Sequence, residues 1–315
     1  MLCIEYINSF NTKKELSMNK CEGILSALMT PFNKNGKLDE KVLRKYVRHN
    51  IDRMKVNGLY VGGSTGEGLL MSKEERIAVF EITKEEVNGK IPLIAHVGTL
   101  NLNEACEMAQ KAEELGYDLI SAVTPYYYPF SFSDISKYYN TILKATNKIP
   151  LVIYFLPSLS NNSISLDDFG KLFEDKRVMG IKYTSSDLFL LERLIQKFPD
   201  KMMWAGFDEL LIAYASYGLR SGIGSTYNIQ GPLARKVVDA VEAKDLSKAL
   251  KIQHDMNDII KTLLSVGIYP ALKECIAFYD SSAVSYCRAP MGSKPFGKAE
   301  KKVLKDMFDK YLSKL

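Results

Sequence analysis

A chain of 315 residues allows one large domain or two; its 46% hydrophobic and 25% charged residues suit a globular protein with a sizeable core and exclude a disordered one. The net charge of +5 is mild, and its Lys and Arg residues are scattered, which leaves no footprint for nucleic acid. No apolar run reaches the roughly 18 residues that a membrane span needs.

In chain order, residues 1–20 mix charges into their apolar residues. They hold no signal-peptide core and read as a loose tail, with Met18 as an alternative start. Short β-rich runs then recur: "ILSAL" (24–28), "LYVGG" (59–63), "LIAHV" (93–97), "LISAV" (119–123), "LVIYF" (151–155), "MGIKY" (179–183), "MMWAG" (202–206) and "SGIGS" (221–225). Charged amphipathic stretches of helical period separate them, such as "LDEKVLRKYVRHNIDRM", "SKEERIAVFEITKEEV" and "NEACEMAQKAEELG". The last ends on Gly116, a helix stop signal.

Strands that alternate strictly with helices pair in parallel, and eight of them close a (β/α)₈ TIM barrel. An open doubly wound sheet is the alternative, but it wants G-x-G-x-x-G after the first strand, where "MTPFNKNG" stands instead. After the eighth unit "LSKALKIQHDMNDIIKTLLSVG", "YPALKECIAFYD" and "KAEKKVLKDMFDKYLSKL" predict additional C-terminal helices, packed on the barrel flank or a partner chain. The expected organisation is a tail over 1–20, a barrel core over 21–230, and the last barrel helix with a helical extension of the same domain over 231–315.

Five dispersed cysteines without a C-x-x-C pair point to reduced thiols in the cytoplasm. His49, His96 and His254 are far apart, with no H-E-x-x-H, so packed or surface histidines are expected and no metal site.

Barrel enzymes react at the C-terminal ends of their strands. There the chain carries "GGSTGE", "TPYYYPFSF", Tyr154, Lys182, "GFDE" and "GSTYN". Lys182, in the apolar run "VMGIKY", is the anomaly. Burial disfavours an ammonium, and a neutral amine attacks a ketone to form a Schiff base, an electron sink. A lysine that snorkels to the surface or pairs with a carboxylate is the alternative. Tyr154 is a phenol able to shuttle protons, or a core tyrosine. "GGSTGE" (62–67) offers backbone N–H groups and the hydroxyls of Ser64 and Thr65 to an anion, unless it is only a turn. Asp208 and Glu209 are either charges at a helix start or acceptors for sugar hydroxyls; as carboxylates they would repel a phosphate.

"GGSTGE", "TPYYYPFSF", "LVIYFLPSLS", "GIKYTSSD" and "GIGSTYN", in this order and spacing, resemble the N-acetylneuraminate lyases. These belong to the pyruvate-dependent class I aldolases that include dihydrodipicolinate synthase. The resemblance runs from about Glu22 to the C-terminal helix. It implies that Lys182 forms the Schiff base, Tyr154 moves the proton, and Ser64 and Thr65 hold the pyruvate carboxylate. It implies further that Tyr127 reaches across a subunit interface of a homotetramer, and that Thr184, Gly206, Asp208, Glu209, Gly224 and Ser225 grip the sugar chain. Similar proteins use no metal or organic cofactor and split N-acetylneuraminate into pyruvate and N-acetylmannosamine. Glu67 braces its loop rather than reacts. The synthases place an arginine after the catalytic tyrosine, where Leu159 and Ser160 stand here. Phe155 and Leu156 make the segment more apolar than in many relatives, which we assign to packing. Another pyruvate aldolase such as dihydrodipicolinate synthase, an inactive sugar-binding barrel and a metal-dependent aldolase are the alternatives.

Overall fold

The chain closes on itself through eight parallel strands, each paired with its sequence neighbour and the eighth with the first, in a computed structural model that describes residues 20–292 and 295–315. The strands are β1 (Ile24–Ala27), β2 (Gly58–Val61), β3 (Leu93–His96), β4 (Leu119–Val123), β5 (Leu151–Phe155), β6 (Val178–Tyr183), β7 (Met202–Ala205) and β8 (Ser221–Gly224). Helices α1 (Glu40–Arg48), α2 (Lys73–Val87), α3 (Leu102–Glu114), α4 (Phe132–Ala145), α5 (Leu166–Leu172), α6 (Leu188–Lys197), α7 (Leu211–Ser216) and α8 (Tyr227–Glu242) follow the strands in turn. The (β/α)₈ barrel and its extra C-terminal helices match the architecture expected from the sequence. The expected tail lies, except for Lys20, outside the described residues.

Local chemistry starts and stops these helices. Ser72 with Glu75, and Ser131 with Asp134, form reciprocal capping boxes on α2 and α4. Asp39, Asn101, Ser165 and Asp187 cap α1, α3, α5 and α6 with side-chain oxygens, each cap contributing about 1 kcal/mol. Gly116 follows α3 with φ 72°, the left-handed conformation expected just past a helix end.

Two apolar layers flank the sheet. Leu25, Tyr60, Ile94, Val152, Tyr154, Met179, Trp204 and Ile223 pack inside the barrel; Leu59, Leu151, Ile153, Phe155, Ile181 and Tyr183 pack outward against the helices. Trp204 is wholly buried and donates its indole N–H to the Cys21 carbonyl at 2.9 Å. Burying such a ring contributes about 3 kcal/mol.

One irregularity matters for the site. β6 pairs with β5 as Val178 to Leu151, but Gly180 to Val152, so Met179 is an extra residue, a bulge. Side chains alternate along a strand, and Val178 faces outward. In an unbroken strand Lys182, four positions on, would face outward too. The bulge turns it into the barrel.

Beyond α8, helices α9 (Leu246–Val266), α10 (Ile268–Tyr279) and α11 (Lys298–Tyr311) complete the chain. α9 lies along α8, with α10 and α11 packed on it. The boundary expected after residue 230 falls inside α8, at a kink where Gln230 has φ −135° two residues before Pro232. Among the described residues no helix is long and apolar enough to cross a membrane.

Candidate active site

A cavity of about 210 Å³ opens at the C-terminal mouth of the barrel. Ser64, Thr65, Tyr154, Lys182, Thr184, Gly206, Asp208, Glu209 and Ser225 line it. Six different loops and strands bring these residues together, as the strand-end rule predicts.

Lys182 is 5% exposed and forms no ion pair among the described residues. Its Cα is the register partner of Tyr154 on β5 and of Trp204 on β7. Its amine lies 3.9 Å from the centre of the Tyr154 ring and 4.6 Å from that of Tyr60. Neither snorkelling nor pairing describes it. Tyr60 was not singled out in the sequence; as an inward residue of β2 it reads there as plain core.

His96 supports Tyr154 from behind, edge to face at 5.9 Å. Its Nε2 accepts the Val123 N–H at 3.2 Å, and its Nδ1 lies 3.2 Å from both the Gly62 carbonyl oxygen and the Arg76 guanidinium. Burial, then the charges of Arg76 and Lys182, hold its pKa well below the usual histidine range. A neutral imidazole thus ties β3 to the ends of β2 and β4. His49 packs on the Asn228 carbonyl and His254 is exposed.

On the opposite wall Asp208 is 5% exposed. Its Oδ2 accepts the Thr226 N–H at 2.8 Å and the Thr226 hydroxyl at 2.6 Å, and Gln230 Nε2 donates to that hydroxyl oxygen at 2.7 Å. Burial nevertheless pushes the carboxyl up to about 6, against the pull of the Thr226 hydrogen bonds. Among the described residues, Asp208 Oδ1 and Thr184 Oγ1 are buried and make no hydrogen bond. Leaving such atoms unpaired costs about 1–3 kcal/mol each, which a ligand rich in hydroxyls would recover.

Gly224 lies behind the cavity wall rather than on it. A Cβ there would sit 1.9 Å from Asp208 Oδ1, and one at Gly206 would sit 1.9 Å from Thr184 Oγ1. Both glycines make room for polar side chains. Glu209 is exposed at the rim. Thr65 Oγ1 and Ser225 Oγ are 2.6 Å apart, joining the two walls. Tyr127 is not in the cavity of the single chain: it is 79% exposed, with φ 75°, its ring edge-on to Tyr128.

Sequence reasoning missed Thr226, next to the predicted Ser225, and Tyr269 at the start of α10. Tyr269 lines the cavity with Ile260 of α9, so the C-terminal helices close one side of the mouth rather than only the flank. "VGIYPALK", with Gly267 and Pro270, was the available signal of a helix restart there. Among the described residues no cluster of three or more His, Cys, Asp or Glu residues could hold a metal.

An unpaired amine beside a phenol, with hydroxyls on one wall and a carboxylate on the other, defines a (β/α)₈ barrel equipped for Schiff-base chemistry on a carbonyl compound. The chain belongs to the dihydrodipicolinate synthetase family, whose model matches residues 20–309. It is 45% identical over 296 residues to the N-acetylneuraminate lyase of Haemophilus influenzae, covering 94% of this chain and 100% of the relative. Among solved structures, CdNal from Clostridium difficile in complex with mannosamine superposes with a TM-score of 0.89 at 45% identity, covering 92% and 99% of the two chains. The N-acetylneuraminate lyase of Fusobacterium nucleatum complexed with pyruvate gives 0.87 at 44% identity, covering 93% and 98%.

Proposed function

We propose that this protein is a class I aldolase that cleaves N-acetylneuraminate reversibly into pyruvate and N-acetylmannosamine. The observation that carries the mechanism is the register pairing of Tyr154 with Lys182 inside the barrel, amine over phenol ring at 3.9 Å. The Lys182 amine attacks the C2 ketone of the open-chain sugar, and loss of water gives an iminium. Tyr154 takes the C4 hydroxyl proton as the C3–C4 bond breaks, and the electron pair of that bond passes into the iminium to give an enamine. Protonation at C3 and hydrolysis release pyruvate and restore the amine.

Ser64 and Thr65 hold the pyruvate carboxylate, while Thr184, Asp208, Glu209 and Ser225 receive the hydroxyls of the sugar. Gly206 and Gly224 serve this grip by leaving space. Chains associate as a homotetramer in which Tyr127, exposed on the single chain, meets a neighbour's site. The enzyme works in the cytoplasm, a compartment that suits the free thiols of Cys21, Cys106, Cys275 and Cys287.

Two assays test the reading. Purified protein should release pyruvate from N-acetylneuraminate, and borohydride with pyruvate should leave one adduct per chain, on Lys182. An adduct on another lysine, or unchanged N-acetylneuraminate after long incubation, would remove the proposal. Condensation of pyruvate with aspartate semialdehyde instead of cleavage would assign the chain to the synthases.

A further inference from the structure

A second buried lysine sits just behind the site. Lys273 lies in α10, outside the barrel, yet its side chain is 1% exposed, and that of Glu67 opposite it is 0% exposed. The ammonium donates to Glu67 Oε1 at 2.5 Å, to the Thr30 carbonyl at 2.7 Å and to the Tyr286 carbonyl at 2.7 Å. Glu67 Oε2 accepts the Arg288 N–H at 2.7 Å. Every ammonium hydrogen therefore has an acceptor, and both carboxylate oxygens have donors. Burial pushes the neighbouring Cys287 thiol up to about 12, so it adds no charge to the pair.

A pair so enclosed has no proton to offer substrate. It is also a poor source of stability, because well-packed apolar residues would avoid the desolvation of two charges. What it supplies is position. Glu67 ends "GGSTGE" in the left-handed region, with φ 55°, a conformation unfavourable for a residue with a Cβ. Its N–H holds the Ser64 carbonyl at 3.0 Å, and the next N–H, of Gly68, holds the Gly63 carbonyl at 3.0 Å. The Glu67 side chain thus anchors the turn that presents Ser64 and Thr65, and the anchor is fastened to α10 and to the segment that follows it.

We infer that Lys273 is a positioning residue for the pyruvate end of the site: through Glu67 it sets the turn on which Ser64 and Thr65 meet the carboxylate. The C-terminal extension is then a working part of the catalytic mouth. This inference rests on the reading that Ser64 and Thr65 hold that carboxylate.

The test is borohydride trapping at graded pyruvate concentrations, with urea unfolding on the same samples. The variants are Lys273→Met, the charge-free pair Glu67→Gln with Lys273→Met, and Ser64→Ala. Both Lys273 variants should need roughly tenfold more pyruvate, or above, for half-maximal trapping, since misplacing a binding group by an ångström has effects of that order. Their trapping rate at saturating pyruvate should stay within roughly threefold of the parent, because Lys182 itself is undisturbed. Where Lys273→Met leaves a buried carboxylate unpaired and does not fold, the charge-free pair decides. A charge-free variant that folds and has an unchanged pyruvate requirement, or one that cannot fold at all, makes the pair structural only and overturns the inference. Ser64→Ala separates the two levels: if it too leaves the requirement unchanged, the reading of the carboxylate site fails instead.

Discussion

Tyr154 and Lys182 are register partners on adjacent strands of the barrel, and they share its interior only because β6 carries an extra residue at Met179. The alternation of side chains has period two, so adding one residue moves everything beyond it to the other face. Val178 before the bulge packs outward; Lys182 after it reaches over the Tyr154 ring. The Lys182 amine is thus placed by a backbone irregularity as much as by its own residue.

Gly180 makes that irregularity possible. A Cβ on it would lie 1.8 Å from the Met202 carbonyl oxygen on β7, and that backbone atom cannot swing aside. Gly180→Ala should destabilise the fold by about 1–3 kcal/mol, as overpacking does. It should also slow adduct formation on Lys182 in protein that remains folded. Urea unfolding combined with borohydride trapping checks both; a folded variant that traps pyruvate at the parental rate would show that the bulge is not needed to aim the amine.

Tyr154→Phe removes one hydroxyl and keeps the ring that packs on His96 and Tyr60. Cleavage should lose roughly 10²-fold or more in kcat, the usual contribution of a general acid–base group, with KM much less affected. Adduct formation with pyruvate should persist, though more slowly. An unchanged kcat would move the proton shuttle to another residue.

The alternation of strands and helices was legible in the sequence because each element carries its own period and its own caps. The strand-end rule then converted that pattern into most of the cavity lining. Three features were not legible from local period. The inward direction of Lys182 depends on a pairing offset with β5; Gly180 inside "VMGIKY" is the available signal of a bulge, but it does not fix which residue is the extra one. Lys273, inside the helical run "YPALKECIAFYD", reads as one more lysine, because its carboxylate partner lies 206 positions earlier in the chain. Local period cannot report contacts of that separation. Tyr127 is a third case, since the role expected for it requires a neighbouring subunit.

Asp208 should write its titration into both activity and stability. Burial raises its carboxyl from 3.8 to about 6, and on the proposed function the ionised form is the better acceptor for a sugar hydroxyl. Cleavage relative to pyruvate trapping should therefore fall as pH drops through about 6. For stability the sign is opposite: the folded state binds this proton more tightly than the unfolded chain. Holding the ionised form costs stability above about pH 6, by at most about 3 kcal/mol, and the cost disappears below about pH 4. Asp208→Asn should then be more resistant to urea than the parent at neutral pH, with the difference closing by about pH 4, while cleavage is lost and trapping kept. Equal loss of cleavage and trapping would mean that Asp208 supports the barrel mouth and the sugar site lies elsewhere.

Thr226 offers a sharper test of the same wall, because it acts through Asp208 and does not need to touch substrate. Its hydroxyl receives a hydrogen bond from Gln230 at 2.7 Å, which leaves its own proton directed to Asp208 Oδ2 at 2.6 Å. With the Thr226 N–H on the same oxygen, Oδ2 is saturated, and Oδ1 makes no hydrogen bond among the described residues. Thr226→Val keeps the shape and the backbone donor but removes the hydroxyl. Losing a hydrogen bond to a charged group costs roughly 1.5–3 kcal/mol, so kcat/KM for cleavage should fall about ten- to a hundredfold. The carboxyl loses a partner that favoured its charged form, so the acid limb of cleavage should move to higher pH. Thr226→Ser should restore both properties, and trapping with pyruvate should be untouched throughout. A Thr226→Val enzyme that loses activity without any shift of its acid limb would show that the hydroxyl holds the fold of the wall and not the charge of Asp208.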